Sequence, residues 1–198
     1  MCSSDLYCYE KLKQPALARL QYRKASHLRK DDSRLFYKIA CTYFSEGQWN
    51  AAYKQLEVAL RIIRGEFDYQ LLAGQCCEQM DKTQEAVEHF ILAVQLKPKK
   101  IAGWDALIKC LFEAALWENA LIQVERALQS TKGKVLFLYY RAAVLFGAER
   151  TQEAIKQLEE ALVKDPRQVK KFISLDPSLM QQPQVADLLA RYKRKKEQ

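Results

Sequence analysis

The apolar positions of this chain recur at a fixed interval. Alanine returns every 34 residues, at Ala18, Ala52, Ala86, Ala120 and Ala154, and a second follows each by seven, at Ala25, Ala59, Ala93, Ala127 and Ala161. Residues seven apart lie two turns along one helical face, so each pair marks the packing stripe of a helix. In each full repeat, positions 4, 7, 8 and 11 share one face of a preceding helix. Position 8 is small in three units, as Ala40, Gly74 and Ala142, which lets two antiparallel helices approach closely. Turns between the paired helices are predicted at Glu46-Gly47-Gln48, Met80-Asp81-Lys82, Ala115-Leu116-Trp117 and Gly147-Ala148-Glu149. Pro98 and Pro166 end their units, because proline stops a helix.

A period of this length with two helices per unit is the signature of stacked repeats. The alanines divide the chain into a partial repeat at 1–32 and full repeats at 33–66, 67–100, 101–134 and 135–168, with 169–198 left over. The 67–100 unit carries Gly74, Ala86, Phe90, Ala93 and Pro98 at the offsets of the tetratricopeptide (TPR) pattern. Phe36 and Trp104 hold its tryptophan position, and Tyr43 and Leu111 its tyrosine position. Residues 1–168 thus resemble the TPR family. The departures are Ile108 in place of a small residue, and Arg64 and Lys132 in place of proline. Ile108 predicts looser helix packing in the 101–134 unit.

The resemblance implies an all-α, right-handed solenoid of antiparallel helix pairs. One such pair cannot bury its apolar face alone, so neighbours stack and the ends are capped. Residues 169–198 are expected to form C-terminal capping helices and a basic tail. Phe172 and Leu175 continue the phase of a first helix, and Asp176-Pro177 breaks it. A last helix is predicted from about Pro183, with Val185, Leu188, Leu189 and Tyr192 on one face. At the other end, Leu6 and Tyr9 keep the phase of a first helix that starts near Met1.

The composition narrows function by removing chemistry. The 198 residues include six glycines, too few for a phosphate cradle, and no P-loop, dinucleotide-binding or nucleophile-elbow motif occurs. His27 and His89 are the two histidines, and neither has a cysteine or acidic partner at metal-ligand spacing. Glu159-Glu160 with Lys156 and Lys164 read as solvated helix faces. No enzyme activity, metal or cofactor is expected. The six cysteines, among them vicinal Cys76 and Cys77, form no C-x-x-C and no secreted-scaffold spacing, so they read as packing residues in a reducing compartment. The expected location is the cytoplasm. The chain has no run of apolar residues long enough for a transmembrane helix, and no signal peptide is expected from its opening residues. Cys2 near the start leaves open a lipid-anchored or periplasmic protein whose signal has been removed.

Solenoids of this family bind other chains on their first helices, so the resemblance implies a protein or peptide partner. Positions 2, 5, 9 and 12 face away from the buried side and read largely apolar and aromatic. The predicted peptide groove uses Tyr37, Phe44, Leu71, Phe112, Tyr139 and Phe146 as anchors, with Gln75, Asp105 and Lys109 setting register by hydrogen bonds. The alternative for the same side chains is packing on adjacent first helices or under the C-terminal cap. The family's carboxylate clamp, built from lysine, arginine and asparagine, is missing, because its positions here hold Tyr37, Cys41, Leu72, Ala102 and Ala106.

The net charge of +8 supplies a different class of reading. Lys97, Lys99 and Lys100 cluster at one inter-repeat turn, Arg167, Lys170 and Lys171 at another, and Arg191 with Lys193–Lys196 in the tail. A basic edge suits acidic partners or nucleic acid. Lysine also favours helix C-termini, and Tyr192 is the tail's one aromatic for base stacking. Nucleic-acid association therefore stands as the alternative to a protein-binding scaffold. Self-association through an uncapped N-terminal face is a third possibility.

Overall fold

The computed structural model describes residues 14–197, with side chains described through residue 192. The expectations for Cys2, Leu6, Tyr9 and the lysines of the tail lie outside these limits. Among the described residues there are eleven α-helices and no strand. They are α1 (Pro15–Leu28), α2 (Ser33–Ser45), α3 (Trp49–Ile62), α4 (Phe67–Gln79), α5 (Thr83–Leu96), α6 (Ile101–Glu113), α7 (Trp117–Ser130), α8 (Val135–Gly147), α9 (Thr151–Lys164), α10 (Val169–Leu175) and α11 (Pro183–Glu197). Two short 3₁₀ segments, Pro166–Gln168 and Pro177–Gln181, flank α10. The chain divides into two compact units, Met1–Lys97 and Pro98–Gln198.

In the N-terminal unit, α2 pairs with α3 and α4 with α5, while α1 lies on α2 and α3 on α4. All the period-defining alanines of these pairs, Ala52, Ala59, Ala86 and Ala93, are fully buried. Gly74 shows why a small residue is needed on α4. A β-carbon there would meet the Phe90 ring at 2.5 Å. The Arg19 guanidinium fastens α1 to α2: it lies 4.2 Å from the centre of the Tyr43 ring and pairs with Glu46 at 2.7 Å.

In the C-terminal unit, α6 pairs with α7 and α8 with α9, and α7 lies on α8. The α6–α7 hairpin makes the sparsest backbone contact of the four, as the bulk of buried Ile108 predicts. The Trp104 indole N–H donates to the Pro98 carbonyl at 2.7 Å, tying the start of α6 to the preceding turn. Beyond the repeats, α10 packs on α8 and α11 on α9. Val185, Leu188 and Leu189 are buried and Tyr192 half-buried, so the last helix presents the expected face.

Each hairpin turns through one left-handed residue at the same repeat position: Gly47, Asp81, Ala115 and Glu149. The next N–H then donates back across the helix end, from Gln48, Lys82, Leu116 and Arg150 to the carbonyls of Tyr43, Cys77, Leu111 and Leu145. This closes the last turn of each first helix. Two turns differ from the sequence expectation. Trp117 already belongs to α7, and Gly147 still belongs to α8, so these turns are residues 114–116 and 148–150. The reason is that the left-handed residue is the second of three in every turn, which keeps all four in register.

Candidate peptide-binding face

The first helices of the N-terminal unit carry an open strip. Tyr37, Cys41 and Phe44 on α2 are half-buried, and so are Leu71, Gln75 and Glu78 on α4. Partial burial holds each side chain in place while leaving one side accessible. The Tyr37 ring stacks on that of Tyr69, with centroids 4.8 Å apart and planes 24° from parallel. Tyr69 is itself buried, and its hydroxyl shares a 3.1 Å hydrogen bond with the Ser33 hydroxyl. Phe44 meets Trp49 edge-on at 4.8 Å. A cavity of about 770 Å³ opens at the N-terminal ends of α2 and α4, between Tyr37, Ile63 and Tyr69 and the charged groups of Arg29, Arg34 and Glu66. Asp32 caps α2 by accepting from the Arg34 N–H. Its carboxylate also lies 3.6 Å from Arg29 and 3.5 Å from Arg34, so this rim is internally paired.

Burial raises the Tyr37 hydroxyl above the ordinary tyrosine range, with Cys41 and Asp68 adding to the shift, so it stays a neutral donor. The thiols beneath the strip are equally inert. Burial pushes Cys76 up to about 12, and burial with the Glu85 carboxylate pushes Cys77 up to about 11. Neither is a thiolate nucleophile at neutral pH. Among the described residues, no group of three or more His, Cys, Asp or Glu gathers as a metal site.

Behind the strip, a polar relay joins three helices. The Gln70 amide donates to the Arg64 carbonyl at 3.3 Å, which leaves its oxygen to accept from His89 Nδ1 at 2.7 Å. His89 Nε2 then accepts from the Tyr53 hydroxyl at 3.1 Å. Desolvation lowers the His89 pKa, so the ring is neutral and the tautomer is defined by its partners. Sequence reasoning missed this relay. Its signal was Gln70, a polar residue at the helix position where the adjacent repeats carry Phe36 and Trp104.

The C-terminal unit treats the equivalent strip differently, and three expected site residues need correction. Tyr139 is fully buried, its hydroxyl donates to the Asp165 carbonyl at 2.9 Å, and its ring lies 6.5 Å from that of Phe172. Phe146 is buried with its ring 6.1 Å from the same Phe172. Helix α10 therefore covers the face of α8, and neither aromatic is available to a ligand. Phe112 is also buried, edge-on to Trp117 at 5.2 Å. Asp105 is half-exposed and accepts from the Tyr140 hydroxyl and from Lys109 at 3.0 Å. Lys109 remains half-exposed beside it.

Comparison with known proteins agrees with the helix-pair fold. Residues 6–92 match the family model described as anaphase-promoting complex, cyclosome, subunit 3. Anaphase-promoting complex subunit 7 of Mus musculus is 26% identical over 121 residues, covering 61% of this chain and 21% of that protein. The Homo sapiens protein of the same name matches to the same extent. The chain thus spans about a fifth of the length of these curated relatives. Among solved structures, a MamA protein superposes with a TM-score of 0.73 at 17% identity, over 83% of this chain and 90% of that one. YrrB, described as a TPR protein with an unusual peptide-binding site, superposes with a TM-score of 0.67 at 18% identity, over 96% of this chain and 88% of that one. The chain has the fold of a TPR protein. Its TPR hairpins supply the fold, and its side chains decide what they hold. Among the described residues no helix is long and apolar enough to cross a membrane.

Proposed function

We propose that this TPR chain is a protein–protein interaction scaffold that holds an extended peptide segment on the α2–α4 face of its N-terminal unit. Tyr37, Phe44 and Leu71 act as apolar anchors, and Gln75 sets register through hydrogen bonds to the peptide backbone. The observation that carries this reading is the contrast between equivalent faces: half-buried and open on α2 and α4, closed by α10 on α8. A strip of semi-exposed aromatic and aliphatic side chains on rigid helices is the surface that anchors an ordering peptide. The cavity beside Tyr37 extends that strip at one end. The likeness to YrrB, with its peptide-binding site, and to subunits of a multiprotein complex supports the same reading. Affinity is expected on the order of micromolar, because a flexible segment loses entropy on docking. The protein acts by binding in the cytoplasm and not by catalysis.

The test is a nuclease-treated lysate pull-down comparing wild type with a Tyr37→Ala/Leu71→Ser variant of unchanged helicity. Loss of the same proteins with the variant supports the α2–α4 face. Retention of every partner overturns it. Binding that falls steeply with salt, ignores these substitutions and depends on nucleic acid would favour the basic segments instead.

A further inference from the structure

The first helices of the repeats start on residues of opposite charge. Their N-cap falls on the same repeat position, which is acidic before α2 and α4, as Asp32 and Glu66, and basic before α6 and α8, as Lys100 and Lys134. Neither α6 nor α8 has a side-chain cap or an acidic residue in its first turn, so the positive end of each helix dipole stands beside a lysine. That placement is unfavourable in the free protein, because a helix start favours anions. The attraction of lysine to helix C-termini, which accounts for Lys164 at the end of α9, does not account for Lys100 and Lys134.

Two hydrogen bonds line these helix starts up. Tyr140 on α8 donates to Asp105 on α6, and the Tyr139 hydroxyl donates to the Asp165 carbonyl ahead of α10. The starts of α6, α8 and α10 therefore share one edge of the C-terminal unit. This edge carries Lys99 and Lys100 before α6, Lys132 and Lys134 before α8, and Lys170 and Lys171 in α10, all exposed. The other charges nearby cancel. Lys164 pairs with Glu160 at 2.7 Å and Arg167 with Asp165 at 3.8 Å. Lys109 pairs with Asp105 at 3.0 Å and Arg141 with Glu125 at 2.9 Å. Exposed Arg126 balances exposed Glu159. The six lysines leave the edge at +6, in a chain whose total is +8. The apolar side chains exposed beside them are aliphatic, Ile101 at the start of α6 and Val163 at the end of α9. The aromatics of the same region, Trp104, Phe137, Tyr139 and Phe172, are buried, so none is open to stack on a base.

We propose that this edge is a second docking site, which takes an acidic segment of a partner protein. Carboxylates of the segment sit at the starts of α6 and α8, and its aliphatic side chains rest against Ile101 and Val163. Helices in contact lie about 8–10 Å apart, and an extended chain advances about 3.3 Å per residue. Acidic residues three apart therefore reach successive helix starts. This goes beyond the α2–α4 face, and the two sites fail or hold separately.

The test uses the full chain and a capped decapeptide with aspartate at every third position and valine and serine between. Salt is set at about 0.15 M, where charges more than about 8 Å apart are largely screened. The backbone amide signals of Ile101, Ala102, Val135 and Leu136 are expected to shift in NMR. The asparagine counterpart should bind at least about tenfold more weakly. Lys100→Asp/Lys134→Asp should weaken binding by a similar factor and yet raise the thermal midpoint, because aspartate caps a helix start. Lost binding in a more stable protein is not lost folding. Lys24→Asp/Lys54→Asp makes the same charge change in the N-terminal unit and should bind within about twofold of wild type. The Tyr37→Ala/Leu71→Ser variant should bind the decapeptide as wild type does. Absence of the shifts, equal binding of the asparagine peptide, or an equal loss in Lys24→Asp/Lys54→Asp would each overturn the proposal. So would tighter binding of an oligothymidylate of the same charge at the same amides, which would make the edge a nucleic-acid surface.

Discussion

Gly74 on α4 and Phe90 on α5 are in contact that leaves no room for a methyl group. A β-carbon on Gly74 would lie 2.5 Å from one atom of the Phe90 ring and 2.6 Å from another. Phe90 is fully buried, so its ring has little freedom to retreat. Gly74→Ala is expected to destabilise the protein by about 1–3 kcal/mol, the range for overpacking a core. Urea denaturation measures this, and Phe90→Leu in the same chain should recover part of the loss. An unchanged midpoint would show that α5 shifts without cost.

The four hairpin turns offer a test of backbone strain. Asp81, Ala115 and Glu149 adopt φ values of 58°, 54° and 61°, a region that disfavours side chains, whereas Gly47 adopts 72° without that penalty. Replacing Asp81, Ala115 or Glu149 by glycine should therefore stabilise, by about 0.5–1 kcal/mol each after the entropy of glycine is subtracted. Gly47→Ala should destabilise by a similar amount. Thermal denaturation of the four single variants decides the matter, and destabilisation by all three glycines would contradict the assignment.

Neutral His89 links stability to pH. Its folded pKa lies below the unfolded value because burial disfavours the imidazolium. The unfolded chain therefore binds more protons in the window below about pH 6.5, the ordinary histidine value. Stability is complete above that window and falls as pH drops toward the folded pKa. The urea midpoint should decrease between pH 7.5 and pH 5.5, and His89→Gln should flatten that dependence. A steeper dependence in the variant would refute the role of His89.

Phe172 holds the cap on the repeats. It is fully buried against Tyr139 and Phe146. Phe172→Ala should cost about 3–5 kcal/mol, as large aromatic truncations in cores do. Tyr139 should then become reactive toward tetranitromethane under native conditions. If the variant is destabilised and Tyr139 remains unreactive, α10 stays in place through other contacts.

The repeat was legible because it is written in small residues. Ala52, Ala86, Ala120 and Ala154 are each fully buried, and no larger side chain fits where two helices cross closely. The last helix was legible for the same reason, since Val185, Leu188 and Leu189 follow one helical face. The looser α6–α7 pair could be anticipated from Ile108 alone. These features depend on local spacing, which a chain carries wherever its partners lie.

The candidate site divides along that line. The helical phase of Tyr37, Phe44, Leu71, Tyr139 and Phe146 places them on equivalent faces of first helices, and there their sequence descriptions end. Phe172, beyond the repeats, decides that Tyr139 and Phe146 are core, whereas Tyr37 and Leu71 are half-open. The internal pairing of Asp105 with Tyr140 and the Tyr53–His89–Gln70 relay are likewise set by which helices meet. Periodicity determines which face of a helix a residue occupies. Only the tertiary structure decides whether that face meets solvent, a neighbour or a cap, because burial is a property of the assembled chain.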